Sequence, residues 1–156
     1  MDLQRFMTAK FQPRTAELAV PELSEFFPKG VKPVWTVRGL NSNELARTRE
    51  AGENHDAIKS LVSALAGQGD KAKAIQDTLG LSEDEVPADV SRRIEVLRYG
   101  SLSPDIREMR DVAVKLAENY PVTFYLLTNK VQELTGQGSE VGKPKGSSKR
   151  QKSEPA

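Results

Sequence analysis

The segment between Leu102 and Leu134 constrains the fold of this chain more than any other part of the sequence. Its apolar residues recur at helical spacing, but Pro121 interrupts the pattern, and proline disfavours helical geometry at the residue before it. Ser103 and Pro104 are residue types favoured at an N-cap and at the first helical position. The sequence therefore predicts two consecutive helices, the first starting near Ser103 and the second after a break at Tyr120.

The two helices carry different patterns of apolar residues. The first has one apolar stripe opposite a charged face, which is typical of a helix that packs on a core. The second has an apolar stripe and, roughly opposite, Val122, Tyr125 and Leu126 before it stops at Gly136. A helix that is apolar on two sides needs cover on both, from the rest of the chain or from another protein. The predicted stripes are Ile106, Met109, Ala113, Leu116, Ala117 and Tyr120, then Phe124, Leu127, Val131 and Leu134.

A small β element precedes the helices. Residues 18–21 and 34–38 are β-type segments, the second with β-branched and aromatic residues in series, and proline and glycine residues lie between them. We expect a hairpin or a pair of edge strands, because proline is tolerated at strand ends and edges. A helical turn over residues 22–27 carries Phe26 and Phe27 between the two strands.

Three further helices are predicted after this β element. Asn41 and Glu44 have capping-box spacing at the start of a helix over residues 42–66, and shorter helices follow over 70–79 and 87–99. The fold class is therefore predicted as mainly α, a bundle of about five helices preceded by a small N-terminal β-hairpin.

The composition divides the 156 residues into three parts. Residues 1–14 are expected to form a flexible arm, and residues 15–135 a single domain. Residues 136–156 contain only Val141 among large aliphatic residues, with five basic residues against two acidic ones. Such a segment buries too little apolar surface to fold alone, so it is expected to be a disordered basic tail.

The sequence lacks residues that several classes of protein function require. The chain has no cysteine, which excludes disulfides, thiolate metal sites and cysteine catalysis. His55 is the only histidine and is interpreted as a surface residue, since zinc needs further nitrogen or sulfur ligands. The acidic residues 83–85 suit a helix N-terminus, and the glycines of 67–69 suit a linker. We expect no catalytic site, cofactor, metal or membrane span, and a location in the cytoplasm.

The candidate functional residues are apolar residues that could face a partner. Tryptophan is enriched in binding hot spots, and Trp35 lies beside Arg38 in the second strand. Burial in the core is the alternative for every one of these side chains, and self-association is the alternative to a different partner. The candidate partner-binding residues are Phe26, Phe27, Trp35, Val122, Tyr125 and Leu126.

Three segments resemble a known family. Thr15–Leu23, Val34–Ala46 and Asn129–Gly138, the last followed by a tail rich in glycine, lysine and serine, are similar to the tail assembly chaperones of long-tailed bacteriophages and prophages. The resemblance implies a late protein of the host cytoplasm that binds the tape measure protein, keeps it soluble and promotes tail tube assembly around it. It also implies absence from the mature virion.

The resemblance further implies a longer product made by ribosomal frameshifting, through which the tail tube protein could be contacted. Gly142 and Lys143 would permit a slippery codon pair at that point. Two other functions remain as alternatives: a structural head–tail connector or tail terminator of the virion, and a small nucleic-acid-binding regulator that uses the basic tail. The slightly acidic balance of the remaining chain argues against nucleic acid.

Overall fold

The computed structural model describes residues 1–64, 69 and 87–142, without the side chains of residues 55–63. Within these residues the fold is mainly α with a small antiparallel sheet, as predicted. Several predictions fall outside the described part of the chain: the His55 side chain, the linker residues 67 and 68, the helix over 70–79, the acidic residues 83–85 and the tail beyond residue 142.

The elements follow one another along the chain in a simple order. The α-helices are α1 Leu3–Thr8, α2 Ser42–Ala64, α3 Ala88–Gly100, α4 Met109–Asn119 and α5 Pro121–Gly136, and a 3-10 helix spans Pro21–Phe26. The strands are β1 Phe11–Gln12, β2 Thr15–Ala19, β3 Val34–Arg38, β4 Ser101–Ser103 and β5 Glu140–Val141.

The predicted hairpin is present, but a third strand extends it. β2 and β3 pair antiparallel with Leu18 opposite Trp35, and β4 pairs with the other edge of β3. The alternative of a pair of edge strands is therefore wrong for β3, which is the central strand of three. Ser103, predicted as an N-cap, lies in β4, and the next helix begins at Met109. The edge of β3 that β2 leaves unpaired needs backbone hydrogen-bond partners. β4, which lies between α3 and α4 in the chain, supplies them.

Helix α3 is the centre of the domain, since it packs against α2, α4, α5 and β3. Its buried residues include Ile94 and Leu97, as predicted. At its last residue, a Cβ placed on Gly100 would lie 2.6 Å and 2.7 Å from the two Cγ atoms of Val131. Helices α3 and α5 therefore approach closely at a point that only glycine fits.

The break between α4 and α5 lies where the sequence predicts it. Tyr120 adopts φ −131° and ψ 59°, and Pro121 is the first residue of α5. The stripe of α5 is fully buried, whereas the stripe predicted for the first helix is buried at its centre and partly buried elsewhere. The residues buried across both helices are Met109, Ala113, Leu116, Phe124, Leu127, Val131 and Leu134.

The two ends of the described chain are joined, which the sequence did not predict. β1 pairs antiparallel with β5, and the Gly142 amide donates a 2.7 Å hydrogen bond to the Lys10 carbonyl. Residues 1–14 were expected to be a flexible arm and residues 136–156 a disordered tail, but β1 of the arm pairs with β5 of the tail. Backbone hydrogen bonds between distant short segments leave no periodic signal in a sequence. Helix α1 of the arm buries no residue either, so it has no apolar face on a core.

The predicted capping box at the start of α2 is confirmed. The Glu44 amide donates to Asn41 Oδ1 at 2.9 Å, and the Asn41 amide donates to Glu44 Oε2 at 3.0 Å. Arg38 adds two hydrogen bonds to the same carboxylate, so β3 and α2 are held at a fixed angle. The Leu40 amide donates to Thr135 Oγ1 at 2.9 Å, which attaches this junction to α5.

Candidate protein-docking groove

An open apolar groove with a volume of about 710 Å³ lies between the 3-10 helix and α4. Three of the six candidate partner-binding residues, Phe26, Phe27 and Trp35, line it. The groove brings them together with residues much further along the chain, notably Ile106, Leu116 and Tyr120.

The 3-10 helix forms one wall because its start and its Leu23 side chain are anchored. The Val20 amide donates to the Pro33 carbonyl at 2.8 Å before the helix begins, and Leu23 is buried beneath it. With Leu23 anchored in the core, Phe26 is left 69% exposed at the edge of the groove. Its ring meets that of Tyr120 edge to face, with 6.5 Å between the centroids. This geometry is a favourable one for aromatic pairs.

Trp35 forms part of the floor and is only 3% exposed. Its indole N–H donates a 2.9 Å hydrogen bond to Ser101 Oγ, so β4 satisfies the one polar group of the ring. Most of the Trp35 side chain therefore belongs to the core, which was the alternative to a role as an interface anchor. The part that lines the groove is apolar.

Among the described residues that line the groove, Lys115 is the one with a charge at neutral pH. Its side chain is exposed on α4, one turn before Asn119. The side-chain Nδ2 of Asn119 donates to the Lys115 backbone carbonyl at 2.9 Å, so this donor is used within the helix. The groove is thus an apolar surface with a single cationic group on one wall.

The other three candidates lie on the outer face of α5, as their spacing predicted. Val122 is 72% exposed and Leu126 is 56% exposed. Tyr125 is partly covered by the guanidinium of Arg93, which lies 4.4 Å from the ring centroid. Arg93 also donates hydrogen bonds to Thr128 Oγ1 and Asn129 Oδ1, so the Tyr125 end of this face belongs to the contact between α3 and α5.

Sequence reasoning missed a third exposed apolar surface, on the N-terminal arm. Leu3, Phe6, Met7 and Phe11 are all exposed, and the two phenylalanine rings lie 5.3 Å apart. The apolar residues of this arm alternate with basic ones, and this pattern was interpreted as a frayed terminus. The recurrence of apolar residues at short spacing was the sequence feature that could have indicated this surface.

The carboxylates with altered pKa are partners of arginine side chains. The hydrogen bond from Arg38 lowers the pKa of Glu44. Burial raises the pKa of Asp89, but hydrogen bonds from Arg93 and Arg92 outweigh it, so that the pKa is lowered. Both groups are therefore ionised at neutral pH and engaged in ion pairs. Glu95 is buried and forms ion pairs with Arg98 at 3.0 Å and Arg110 at 3.3 Å.

Two further findings concern the part of the chain that the structure describes. No group of three or more histidine, aspartate or glutamate side chains there is arranged to hold a metal ion. Every helix there is too short or too polar to cross a membrane.

The fold and the groove together define a mainly α protein with an open apolar surface suited to docking another chain. No protein-family model, curated protein or solved structure matches the sequence or the fold. The function is therefore argued from the groove and from the sequence resemblance.

Proposed function

We propose that this protein is a tail assembly chaperone of a long-tailed bacteriophage or prophage. In this role it binds the tape measure protein, keeps it soluble and promotes assembly of the tail tube around it. The observation that carries the proposal is the open apolar groove between the 3-10 helix and α4. A chaperone of this kind needs an accessible apolar surface for its client.

The shape of the groove fits helix-in-groove recognition. In that mode an amphipathic helix lays its apolar stripe between two walls and buries side chains at helical spacing. Here the walls are the 3-10 helix with Phe26 and Phe27, and α4 with Tyr120 at its end. A volume of about 710 Å³ has room for several aliphatic or aromatic side chains of a client.

Two of the segments that resemble the family meet outside the groove, although Leu23 and Trp35 of the resembling segments also line it. Val34–Ala46 comprises β3, the capping box and the start of α2, and Asn129–Gly138 covers the end of α5. They touch where the Leu40 amide donates to Thr135 Oγ1, and a Cβ on Gly39 would lie 3.0 Å from the Leu134 carbonyl carbon. The resemblance therefore supports a shared scaffold, while the groove supports the binding function.

We infer that α2, α3, α4 and α5 are four members of the predicted bundle of about five helices. The other member, predicted over residues 70–79, lies outside the described residues. In this arrangement the N-terminal hairpin, extended by β4, closes one side of the bundle.

In the proposed role the protein acts in the host cytoplasm and is absent from the finished virion. A longer product would arise by frameshifting near Gly142 and Lys143, just after β5, and would retain every described element. The gene sequence tests this point directly, since a stretch without slip-prone codons would remove frameshifting from the proposal.

Co-expression with the tape measure protein from the same genome tests the main proposal. We expect the chaperone to increase the soluble fraction of that long protein and to co-purify with it. The matched variants are Phe26→Ser in the groove and Leu3→Ser on the arm, each of which removes one exposed apolar side chain. Phe26→Ser should reduce the rescue and Leu3→Ser should retain it. An insoluble tape measure protein in the presence of the unaltered chain would contradict the proposal.

A structural component of the virion is the second candidate. The exposed face of α5 with Val122 and Leu126 favours it, because packing inside a particle would cover such a surface. Mass spectrometry of purified particles separates the two functions. A stoichiometric amount of this protein in the virion would favour the structural component, and its absence is expected for the chaperone.

A further inference from the structure

We propose that the groove selects amphipathic helices that carry a carboxylate beside their apolar stripe, and that Lys115 supplies this selection. The inference rests on the proposed function only in taking the groove as the docking surface. It adds the chemistry of the occupant, an apolar helix with acidic rather than basic flanking residues.

Lys115 has no ion-pair partner among the described residues. Asp111 and Glu118 lie one turn before it and nearly one turn after it on α4, yet neither approaches within the distance of a salt bridge. The Lys115 ammonium is therefore available to a group carried by an occupant of the groove.

Filling the groove changes the surroundings of this ammonium. A docked helix would displace water from the apolar lining beside it, and a charge next to low-dielectric material is stabilised less by solvent. An acidic residue of the occupant would compensate for this loss by pairing with Lys115. A basic residue in the same place would add repulsion, so the groove discriminates in both directions.

The expected discrimination is modest because Lys115 is exposed. Ion pairs between exposed groups contribute about 0.2–1 kcal/mol, which corresponds to a change in Kd of up to about fivefold at low salt. The effect should decline as salt is raised towards 1 M, where the Debye length falls to about 3 Å. The apolar contacts with the aromatic walls should persist under those conditions.

Trp35 provides the assay, since it is the sole tryptophan and lies in the groove floor. The probes are synthetic peptides of about 18 residues without tryptophan, long enough for five helical turns. Two peptides share one stripe of leucine and phenylalanine, flanked by glutamate in the first and by lysine in the second. A third peptide has the composition of the first in scrambled order. Titration is followed by Trp35 fluorescence and by the anisotropy of a label on the peptide.

We expect the glutamate peptide to bind the full chain about two- to fivefold more tightly than the lysine peptide at low salt. Lys115→Glu should reverse this preference, because the repulsion then falls on the glutamate peptide. Lys10→Glu, which makes the same change of charge on the N-terminal arm, should leave the preference as it is. Phe26→Ser should weaken the binding of both peptides equally. Circular dichroism verifies that each variant is folded.

Equal affinity for the two charged peptides, unaltered by Lys115→Glu, would overturn the selection while leaving the groove as a docking surface. Equal binding of the scrambled peptide would overturn helix recognition. An absence of binding by all three would overturn the inference as a whole. The co-expression experiment judges the chaperone function separately, because it uses the natural client and does not depend on Lys115.

Discussion

Gly100→Ala is the substitution whose effect the structure defines most sharply. The added methyl group would lie 2.6 Å and 2.7 Å from the Cγ atoms of Val131, a side chain with no exposed surface. Carbon atoms in contact are normally about 3.5–4.0 Å apart, so α3 and α5 would have to separate by about 1 Å. Because this contact joins the central helix of the domain to α5, the change should be measurable in global stability.

The magnitude follows from two opposing effects. Overpacking in a well-packed core costs about 1–3 kcal/mol. Replacing glycine by alanine in a helix returns up to about 1 kcal/mol, and less at a helix end. We therefore expect Gly100→Ala to lower the free energy of unfolding by about 1–2 kcal/mol, and Tm by about 2–4 °C for each kcal/mol.

Urea denaturation followed by far-UV circular dichroism measures the effect. Gly136→Ala is the matched control, because it makes the same change in a helix where no atom lies within 4 Å of the new Cβ. This control should be neutral or slightly stabilising. Adding Val131→Ala to Gly100→Ala should give a smaller total loss than the sum of the two single variants, by about 0.5–3 kcal/mol. A Gly100→Ala protein as stable as the Gly136→Ala protein would refute the reasoning.

Three further variants test other parts of the structure. Arg93→Met removes the charged hydrogen bonds to the Asp89 carboxylate and the Thr128 hydroxyl, and should cost about 1–3 kcal/mol in urea denaturation. Glu44 has a lowered pKa, so its stabilisation is present above the ordinary carboxyl pKa of about 4.3 and is lost as pH falls through the lowered value. The difference in stability between wild type and Glu44→Gln should therefore be full at neutral pH and shrink in acid; a constant difference would contradict this assignment. Phe26→Ser should change stability by less than about 0.5 kcal/mol, because the ring is mostly exposed, while weakening peptide binding severalfold.

Local patterns predicted the buried face of α5 and its first residue. The spacing of Phe124, Leu127, Val131 and Leu134 identified the buried face of α5, and Pro121 located the break before it. These predictions succeed because helical periodicity and the geometry of proline act within a few residues. The capping box at Asn41 succeeds for the same reason.

Predictions that required knowledge of distant partners failed. Ser103 and Pro104 have a good helix-start pattern, yet β3 recruits residues 101–103 as its second neighbour. The pairing of β1 with β5 joins segments about 130 residues apart, and neither segment has a pattern of its own. Backbone hydrogen bonds of this kind depend on where the rest of the chain places two edges, so local propensity does not reveal them.

The sequence alone determined which side chains are apolar, where α3 and α5 lie, and which kinds of chemistry have no suitable residues in the chain. These properties belong to single residues and their near neighbours. Only the tertiary structure decided which apolar residues form a common surface. It buries most of Trp35, leaves Phe26 at the rim, and places Lys115 on the opposite wall of the same groove. The physical reason is that a groove is formed between elements, so its shape and charge depend on how the 3-10 helix and α4 pack on a shared core.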